Sequence, residues 1–335
     1  MPEVRLDPLS GLRTIIAGER AGRPGADFAV GARPPIDPEG DPFLGGHEDR
    51  TPPELNALRP DGGAPDSPGW LVRVVPNLYP ALGDGEPGSP TPPDPLAAGR
   101  GQPGLFSARP AVGAHEVIVN TPDPLGSLAE LSVEQLETAM GVWRERMREH
   151  GGRAEYVHLI VNEGREAGAS LPHTHAQLYA LRFVPQVVAR ERERFRAYAT
   201  RTMGGNLLAD LVQSEVRGRE RIVAIDDEAV LMAPYGSRLP YQLMLAPRRA
   251  RPRFEQDGPL GAALLHDGLR RLARRFGCSP PLNLWVRTAP RDAEDFCWRI
   301  DVVPRLTNIA GLELGTGVHL NTVAPEQAAA ELREA

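Results

Sequence analysis

The order of the predicted secondary-structure elements is the feature that most restricts the fold. Apolar runs of strand length surround one long helical stretch in each half of the chain. The predicted strands are 70–76, 115–120, 156–161 and 173–181 around a helix at 132–150, and then 221–225, 229–234, 241–246, 282–288 and 297–303 around a helix at 259–276. Short loops between successive strands favour antiparallel pairing with helices packed on the sheet. We therefore expect an α+β fold with two related domains, 1–183 and 184–335, that arose by internal duplication.

Local sequence signals add detail to this prediction. Ser132 and Gln135 have the spacing of a capping box, which predicts that the first long helix begins there. A charged helix is expected at 184–203 and a short helix after Pro325. Residues 31–69 and 83–110 are dense in Pro and Gly, so we expect irregular surface loops in both segments.

Charge and cysteine content exclude several classes of protein. The 335 residues carry a formal net charge of −6, and an acidic balance argues against bulk nucleic-acid binding. The two cysteines, Cys278 and Cys297, allow at most one disulfide, which is typical of a reducing compartment. The N-terminus has no signal-peptide pattern, and no run approaches the roughly 18 apolar residues of a membrane span. The expectation is a cytoplasmic protein without nucleic-acid or membrane partners.

A histidine-containing strand indicates the chemistry. His173, His175 and Gln177 alternate along the predicted strand 173–181, so their side chains share one face. A Gly- and Ser-bearing loop at 162–172 comes directly before them. Backbone N–H groups and a hydroxyl in such a loop can hold phosphate oxygens, while an imidazole attacks the phosphorus. This pattern predicts a phosphate-binding active site.

The chain resembles the galactose-1-phosphate uridylyltransferase family of the histidine-triad superfamily. The resemblance extends over nearly the whole length, in five blocks that occur in the same order. The blocks lie within residues 7–24, 73–82, 113–119, 162–177 and 304–321. Together they imply the family's fold of two histidine-triad-like domains, its nucleotidyltransferase activity, its place in galactose metabolism and its homodimeric assembly.

The resemblance also assigns roles to single residues. His175 is implied to be the nucleophile that takes a nucleoside monophosphate, UMP in the leading interpretation, from a sugar nucleotide such as UDP-glucose. A second hexose 1-phosphate then removes the nucleotide, so the kinetics are expected to be ping-pong. Gln177 and Ser170 are implied to bind the phosphate. The other implied nucleotide- or phosphate-binding residues are Asn77, Asn162, Gly168, Ala169 and His173, and the implied sugar-binding residues, supplied by the partner subunit, are Gly311 and Glu313.

The roles of two histidines stay open, with two alternatives for each. His115 and His158 lie on predicted strands, where each is either a core histidine or a partner of the active site. His173 is expected to orient the strand or the nucleophile next to the bound phosphate.

The chain departs from the family at the metal positions. Many members bind zinc through a Cys-x-x-Cys pair, a distant histidine and the first histidine of the His-x-His motif. Here the matching positions read Asp41 to Leu44 and Thr121 to Pro124, so only His173 remains. One ligand cannot hold a structural zinc, although a different site built from Asp41, His47 and His173 is an alternative.

A second metal site of some relatives, made of a glutamate and three histidines, is also altered. The matching residues are Glu191, Arg287, Cys297 and Arg299, and the two arginines would repel a cation. We therefore predict an enzyme without a metal cofactor.

Substrate identity stays open at this stage. Leu312 occupies a place where the family often has an aromatic residue, which puts galactose in doubt. One alternative is a phosphorylase that uses ADP-sugars and inorganic phosphate. The other is a nucleotide-binding or regulatory protein that has lost turnover.

Overall fold

The structure is a computed structural model that describes residues 1–22, 28, 30–83, 85, 105–106 and 108–335. Most of the loop predicted at 83–110, and Arg23 and Pro24 of the first family block, lie outside the described residues. Among the helices that the structure describes, none combines the length and the apolar character that a membrane span requires.

Strands account for most of the architecture. The described strands are β1 (Glu3–Leu6), β2 (Arg13–Ile16), β3 (Asn56–Leu58), β4 (Val72–Pro76), β5 (Gly113–Val119), β6 (Tyr156–Glu163), β7 (His175–Leu181), β8 (Ile222–Ile225), β9 (Ala229–Met232), β10 (Leu243–Pro247), β11 (Leu282–Arg287), β12 (Arg299–Pro304) and β13 (His319–Asn321). Ten of them form one continuous sheet in the order β3-β4-β5-β7-β6-β11-β12-β10-β9-β8. Its neighbouring strands are all antiparallel.

The two halves of this sheet have the same internal order. β4, β5, β6 and β7 are arranged in space as β4-β5-β7-β6, and β9, β10, β11 and β12 are arranged as β9-β10-β12-β11. The halves meet at the centre, where β6 pairs with β11 through Ile160 and Trp285 among others. The expected α+β class with mainly antiparallel pairing is thus confirmed. The proposed domain boundary between residues 183 and 184 falls in the connection that follows β7.

Helices cover the two faces of the sheet unequally. They are α1 (Val133–Gly151), α2 (Gln186–Thr202), α3 (Leu207–Gly218), α4 (Ala262–Phe276), α5 (Gly311–Thr316) and α6 (Pro325–Glu334). Apolar side chains of α1 and α4, among them Trp143 and Leu269, share one core with both halves of the sheet. On the opposite face, α2 and α3 cover the second half through Phe195 and Leu208. These two helices do not cover the same face of the first half, and the cleft described below opens there.

The start of α1 shows why its position could be predicted. The hydroxyl of Ser132 accepts a hydrogen bond from the backbone N–H of Gln135 at 3.0 Å, which satisfies one of the N–H groups that a helix start leaves unpaired. The reciprocal half of the capping box is absent. The Gln135 amide instead donates to the carbonyls of Leu71 and Asn120, and so ties the helix start to the ends of β4 and β5.

Three expectations need correction. The segment 31–69 is not wholly irregular, because it contains β3 and a 3-10 helix at Glu48–Arg50. The histidine strand begins at His175 and not at His173. A separate sheet of order β1-β2-β13 was not predicted at all, since its strands have three or four residues and join the two ends of the chain.

Candidate active site

A cleft with a volume of about 350 Å³ opens beside β7 on the face that α2 and α3 leave uncovered. Its walls come from the loop after Asp41, the end of β4 and the loop before β7. Mainly apolar side chains line it, with a few polar groups among them: Pro42, Phe43, Arg50, Thr51, Pro52, Val75, Pro76, Asn77, Leu78, Tyr79, Val117, Ser170, Leu171, His175 and Gln177. This composition is typical of a small-molecule site.

His175 lies in the cleft with one ring nitrogen already committed. Its Nδ1 is 2.7 Å from the backbone carbonyl oxygen of His173, and a carbonyl can only accept, so Nδ1 carries the proton. The neutral ring then keeps its lone pair on Nε2. Burial lowers the pKa of His175, which is 4% exposed, and this favours the neutral form. The arrangement is that of a nucleophile that needs no separate deprotonation.

His173 does not line the cleft but lies behind His175, and it is buried. Its Nδ1 is 2.6 Å from a carboxylate oxygen of Asp41, and its Nε2 is 2.9 Å from the carbonyl oxygen of Thr121. The ring of Phe43 packs edge-on against His175, with centroids 5.2 Å apart, and against His173 at 6.1 Å. Phe43 thus contacts both rings, although His173 precedes β7 and lies outside the cleft lining.

The orientation of the Gln177 amide is set by two donors. Its Oε1 lies 3.1 Å from His115 Nε2 and accepts from the Tyr179 hydroxyl at 3.0 Å. Since His115 Nδ1 accepts the backbone N–H of Ala81 at 3.1 Å, His115 Nε2 carries the proton and donates to Gln177. With Oε1 doubly occupied, the amide NH₂ of Gln177 is the group left for a ligand.

The role of His115 was left open by the sequence, although the sheet register contains the signal. β5 and β7 pair so that Val117 lies opposite Gln177 and His115 lies opposite Tyr179. His115 therefore shares a face with Gln177, and its ring stacks on that of Tyr179 with centroids 4.1 Å apart. Of the two alternatives for this histidine, the structure supports a partner of the site.

The loop before β7 supplies fewer free amides than its glycines indicate. Gly164 and Gly168 have positive φ angles of 84° and 86°, which glycine adopts readily. In this turn the N–H of Gly168 donates to Arg165 and that of Ala169 donates to Gly164. Both amides are thus engaged inside the loop. The residue of this loop that offers a polar side chain to the cleft wall is Ser170.

The two asparagines occupy different places. Asn77 lines the cleft, and its Oδ1 accepts the Tyr79 N–H at 2.8 Å. Asn162 lies on β6, where its Oδ1 accepts from the side-chain amide of Asn283 at 2.8 Å. Because Val161 pairs with Ala176, Asn162 lies beside His175 on the adjacent strand. It is not among the residues that line the cleft.

The predicted sugar-binding residues are not part of this cleft. Gly311 and Glu313 lie on α5, and neither is among the lining residues. A carboxylate oxygen of Glu313 accepts the N–H of Ala310 at 3.0 Å. The same helix exposes Leu312 and Leu314 to solvent, at 42% and 79%.

The residues at the first family metal position do not fit zinc. Both nitrogens of His173 face oxygen partners, which leaves no lone pair for a metal. His47 uses its Nδ1 on the backbone carbonyl of Asp41, at 2.7 Å. Throughout the described residues, no group of three or more His, Cys, Asp or Glu side chains is arranged to hold a metal ion.

The residues at the second position form ion pairs instead of a metal site. The buried carboxylate of Glu191 lies 3.0 Å from Arg299 and 3.4 Å from Arg287. These two cations lower its pKa although burial alone would raise it. Cys297 is buried, and burial raises the pKa of its thiol to about 11, so it does not supply the thiolate that a metal needs.

Comparisons with known proteins match the part of the chain that forms much of the cleft. A family model described as galactose-1-phosphate uridyl transferase, N-terminal domain, matches residues 73–185, which include the cleft walls from β4 to β7. The galactose-1-phosphate uridylyltransferase of Streptomyces lividans is 30% identical over 66% of this chain and 69% of its own length. The ADP-glucose phosphorylase of Arabidopsis thaliana is 27% identical over 99% of this chain and 93% of its own length.

A solved structure has the same fold. The crystal structure of an ADP-glucose phosphorylase from Arabidopsis thaliana with bound ADP-glucose matches with a TM-score of 0.80, over 100% of this chain and 99% of that one, at 24% identity. The expected fold class and the expected enzyme class are both confirmed by these matches. The chain belongs to the galactose-1-phosphate uridylyltransferase family of nucleotidyltransferases.

Proposed function

We propose that His175 carries a nucleotide between two phosphates. Its Nε2 attacks the α-phosphorus of a nucleoside diphosphate hexose, the N–P bond forms, and the bridging P–O bond breaks. The hexose 1-phosphate leaves with the bonding electrons. A phosphate oxygen of the acceptor then attacks the same phosphorus and releases Nε2. The observation that carries this proposal is the hydrogen bond from His175 Nδ1 to the His173 carbonyl, which leaves Nε2 as the lone pair in the cleft.

The groups around His175 match the needs of each part of the substrate. The amide NH₂ of Gln177 and the hydroxyl of Ser170 are the donors assigned to the phosphate, where charge shifts in the transition state. The apolar walls formed by Phe43, Leu78 and Tyr79 suit a nucleoside base. No proton has to move during the attack, because the ring is neutral and the leaving group is a phosphate ester anion.

The donor and acceptor define two versions of this reaction. In the first, UMP moves from UDP-glucose to a hexose 1-phosphate, as in a uridylyltransferase. In the second, AMP moves from an ADP-hexose to inorganic phosphate. The near-complete match to the Arabidopsis ADP-glucose phosphorylase is the observation that favours the second version.

Three further features belong to the proposal. The reaction is metal-independent, which the engagement of both His173 nitrogens supports. The protein is a homodimer in which α5 of the partner brings Glu313 and Gly311 to the sugar, and the exposed apolar residues Leu312 and Leu314 on that helix support such a contact. The enzyme is cytoplasmic, in keeping with its two unpaired cysteines.

The test is to trap the intermediate. Protein that has been dialysed against a chelator is mixed with α-³²P-labelled UDP-glucose or ADP-glucose and denatured in alkali, where a phosphoramidate survives. We expect label that is stable to base, labile to acid and located on His175. The His175→Ala variant should take up none, whereas His266→Gln, a change on the distant helix α4, should label normally. Galactose 1-phosphate or inorganic phosphate should then discharge the label and identify the acceptor.

The outcomes separate the alternatives. Label from UDP-glucose that is discharged by a hexose 1-phosphate identifies the transferase, and label from ADP-glucose that is discharged by phosphate identifies the phosphorylase. Labelling that is lost after chelation and restored by zinc contradicts a metal-independent reaction. Tight nucleotide binding with no label from either donor identifies a binding protein and refutes the proposed function.

A further inference from the structure

We propose that a buried ion pair between Asp41 and His173 aims the nucleophile, and that it holds together the part of the site that a metal holds in many relatives. Asp41 is then a positioning residue. This inference rests on the proposed role of His175.

Two hydrogen bonds connect the Asp41 carboxylate to His175 through residue 173, and a third holds the His173 ring. Asp41 Oδ2 is 2.6 Å from His173 Nδ1, and the other nitrogen of that ring is 2.9 Å from the Thr121 carbonyl. The backbone carbonyl of His173 in turn accepts from His175 Nδ1 at 2.7 Å. The His173 ring is thus fixed at both nitrogens, and the peptide group that selects the tautomer of His175 is fixed with it.

The same carboxylate also fixes the loop that packs on the nucleophile. Its other oxygen, Oδ1, accepts the backbone N–H of Phe43 at 3.0 Å, and the Phe43 ring lies edge-on against His175. The backbone carbonyl of Asp41 is 2.7 Å from His47 Nδ1. One side chain therefore joins the loop 41–47 to the histidine strand and seats an aromatic ring against the reacting imidazole.

Burial holds the Asp41–His173 pair in one geometry. The side chains of Asp41 and His173 are 1% and 0% exposed. A buried carboxylate is stable only if it is paired and hydrogen-bonded. Although burial acts to raise the pKa of Asp41, the hydrogen bonds from His173 and from the Phe43 N–H outweigh it and lower that pKa. Both ring nitrogens of His173 face oxygen acceptors, so the Asp41 carboxylate has a hydrogen-bond partner within the core.

The departure from the family's metal-binding pattern shows how the loop and the histidine strand are connected without a metal. Asp41 stands where the first cysteine of the pair is found in many relatives, while Leu44 and Pro124 have no ligand atoms. Asp41, which takes the place of the thiolate, needs no cation to make its contact. It bonds directly to the histidine that the cation would have held, so the loop and the strand stay connected in its absence.

The decisive variant is Asp41→Asn, which keeps the shape and removes the charge. We expect single-turnover labelling of His175 to slow by about 10–100-fold, because small misplacements of a nucleophile have effects of this size. The affinity for the sugar nucleotide should change less than about threefold, since Asp41 does not line the cleft. Asp41→Glu keeps the charge and should recover part of the rate. Asp37→Asn, an exposed aspartate on the preceding loop, is the matched control and should label like the wild type.

A second readout does not depend on catalysis. The ring ¹⁵N resonances of His175 should report a single Nδ1–H tautomer in the wild type and a mixture of tautomers in Asp41→Asn. A downfield proton from His173 Nδ1–H should be visible in the wild type and disappear in the variant. If the wild type takes no label but these signals change as described, the proposed function fails and the positioning role stands. If Asp41→Asn labels within twofold of the wild type, or leaves the His175 tautomer unchanged, the positioning role is wrong.

Discussion

The Gln177→Glu substitution tests the assignment of the amide in the cleft. One oxygen of the new carboxylate takes the place of Oε1 and still accepts from His115 and Tyr179. The other oxygen takes the place of the NH₂ group and faces the phosphate. The change therefore preserves the fold and reverses one of the two donors that we assign to the phosphate.

The expected loss of rate has two contributions, a lost hydrogen bond and a new repulsion between like charges. A hydrogen bond to a charged phosphate oxygen contributes about 1.5–3 kcal/mol. Two like charges about 4 Å apart repel by roughly 1 kcal/mol in water, and more in a shielded cleft. Together these amount to about 2.5–4 kcal/mol, which is a decrease of about 10²–10³-fold in the rate.

Single-turnover labelling of His175 is the assay, with thermal unfolding measured in parallel. Tyr179→Phe is the companion variant, because it removes one donor to Oε1 and leaves the NH₂ in place. It should slow labelling by less than about fivefold, as expected for the loss of one neutral hydrogen bond. A Gln177→Glu protein that labels within fivefold of the wild type would falsify the assigned orientation, and so would a collapse of its thermal stability.

Two further predictions concern stability. Ser132→Ala should lower the free energy of unfolding by about 1 kcal/mol, because it removes the cap on α1; an unchanged urea midpoint would contradict this. Burial, helped by the charge of Arg287, lowers the pKa of His158 from 6.5 to about 3, so its neutral form stabilises the fold fully above pH 6.5, and this contribution is lost as the pH falls towards 3. Between pH 7 and pH 5 the wild type should lose about 2 kcal/mol more than His158→Phe in urea unfolding, and parallel pH profiles would show the reasoning to be wrong.

Elements with strong local signals were predictable from the sequence. The apolar runs that became β6 and β7 lie next to each other in the chain, and their alternation placed His175 and Gln177 on one face. The start of α1 followed from the local chemistry of Ser132. These predictions needed only the spacing of neighbouring residues.

Contacts between distant segments were not predictable in the same way. The bond between Asp41 and His173 joins positions 132 residues apart. The family's metal pattern placed these two residues near each other, but the local sequence did not show that they bond directly. The small sheet of β1, β2 and β13 joins the two ends of the chain for the same reason. The contact between His115 and Gln177 is intermediate, because the register of β5 on β7 would have revealed it once those two strands were aligned.

The pairing of β6 with β11 makes the boundary between the two halves of the sheet a hydrogen-bonded backbone ladder rather than a docking surface. A fragment that ended at residue 183 would expose β6 along its length, next to the strand that carries His175. Such a bare edge is a template for intermolecular association. Either half expressed alone should therefore self-pair or aggregate, because β11 covers the edge of β6, and β6 in turn pairs with the strand that carries His175.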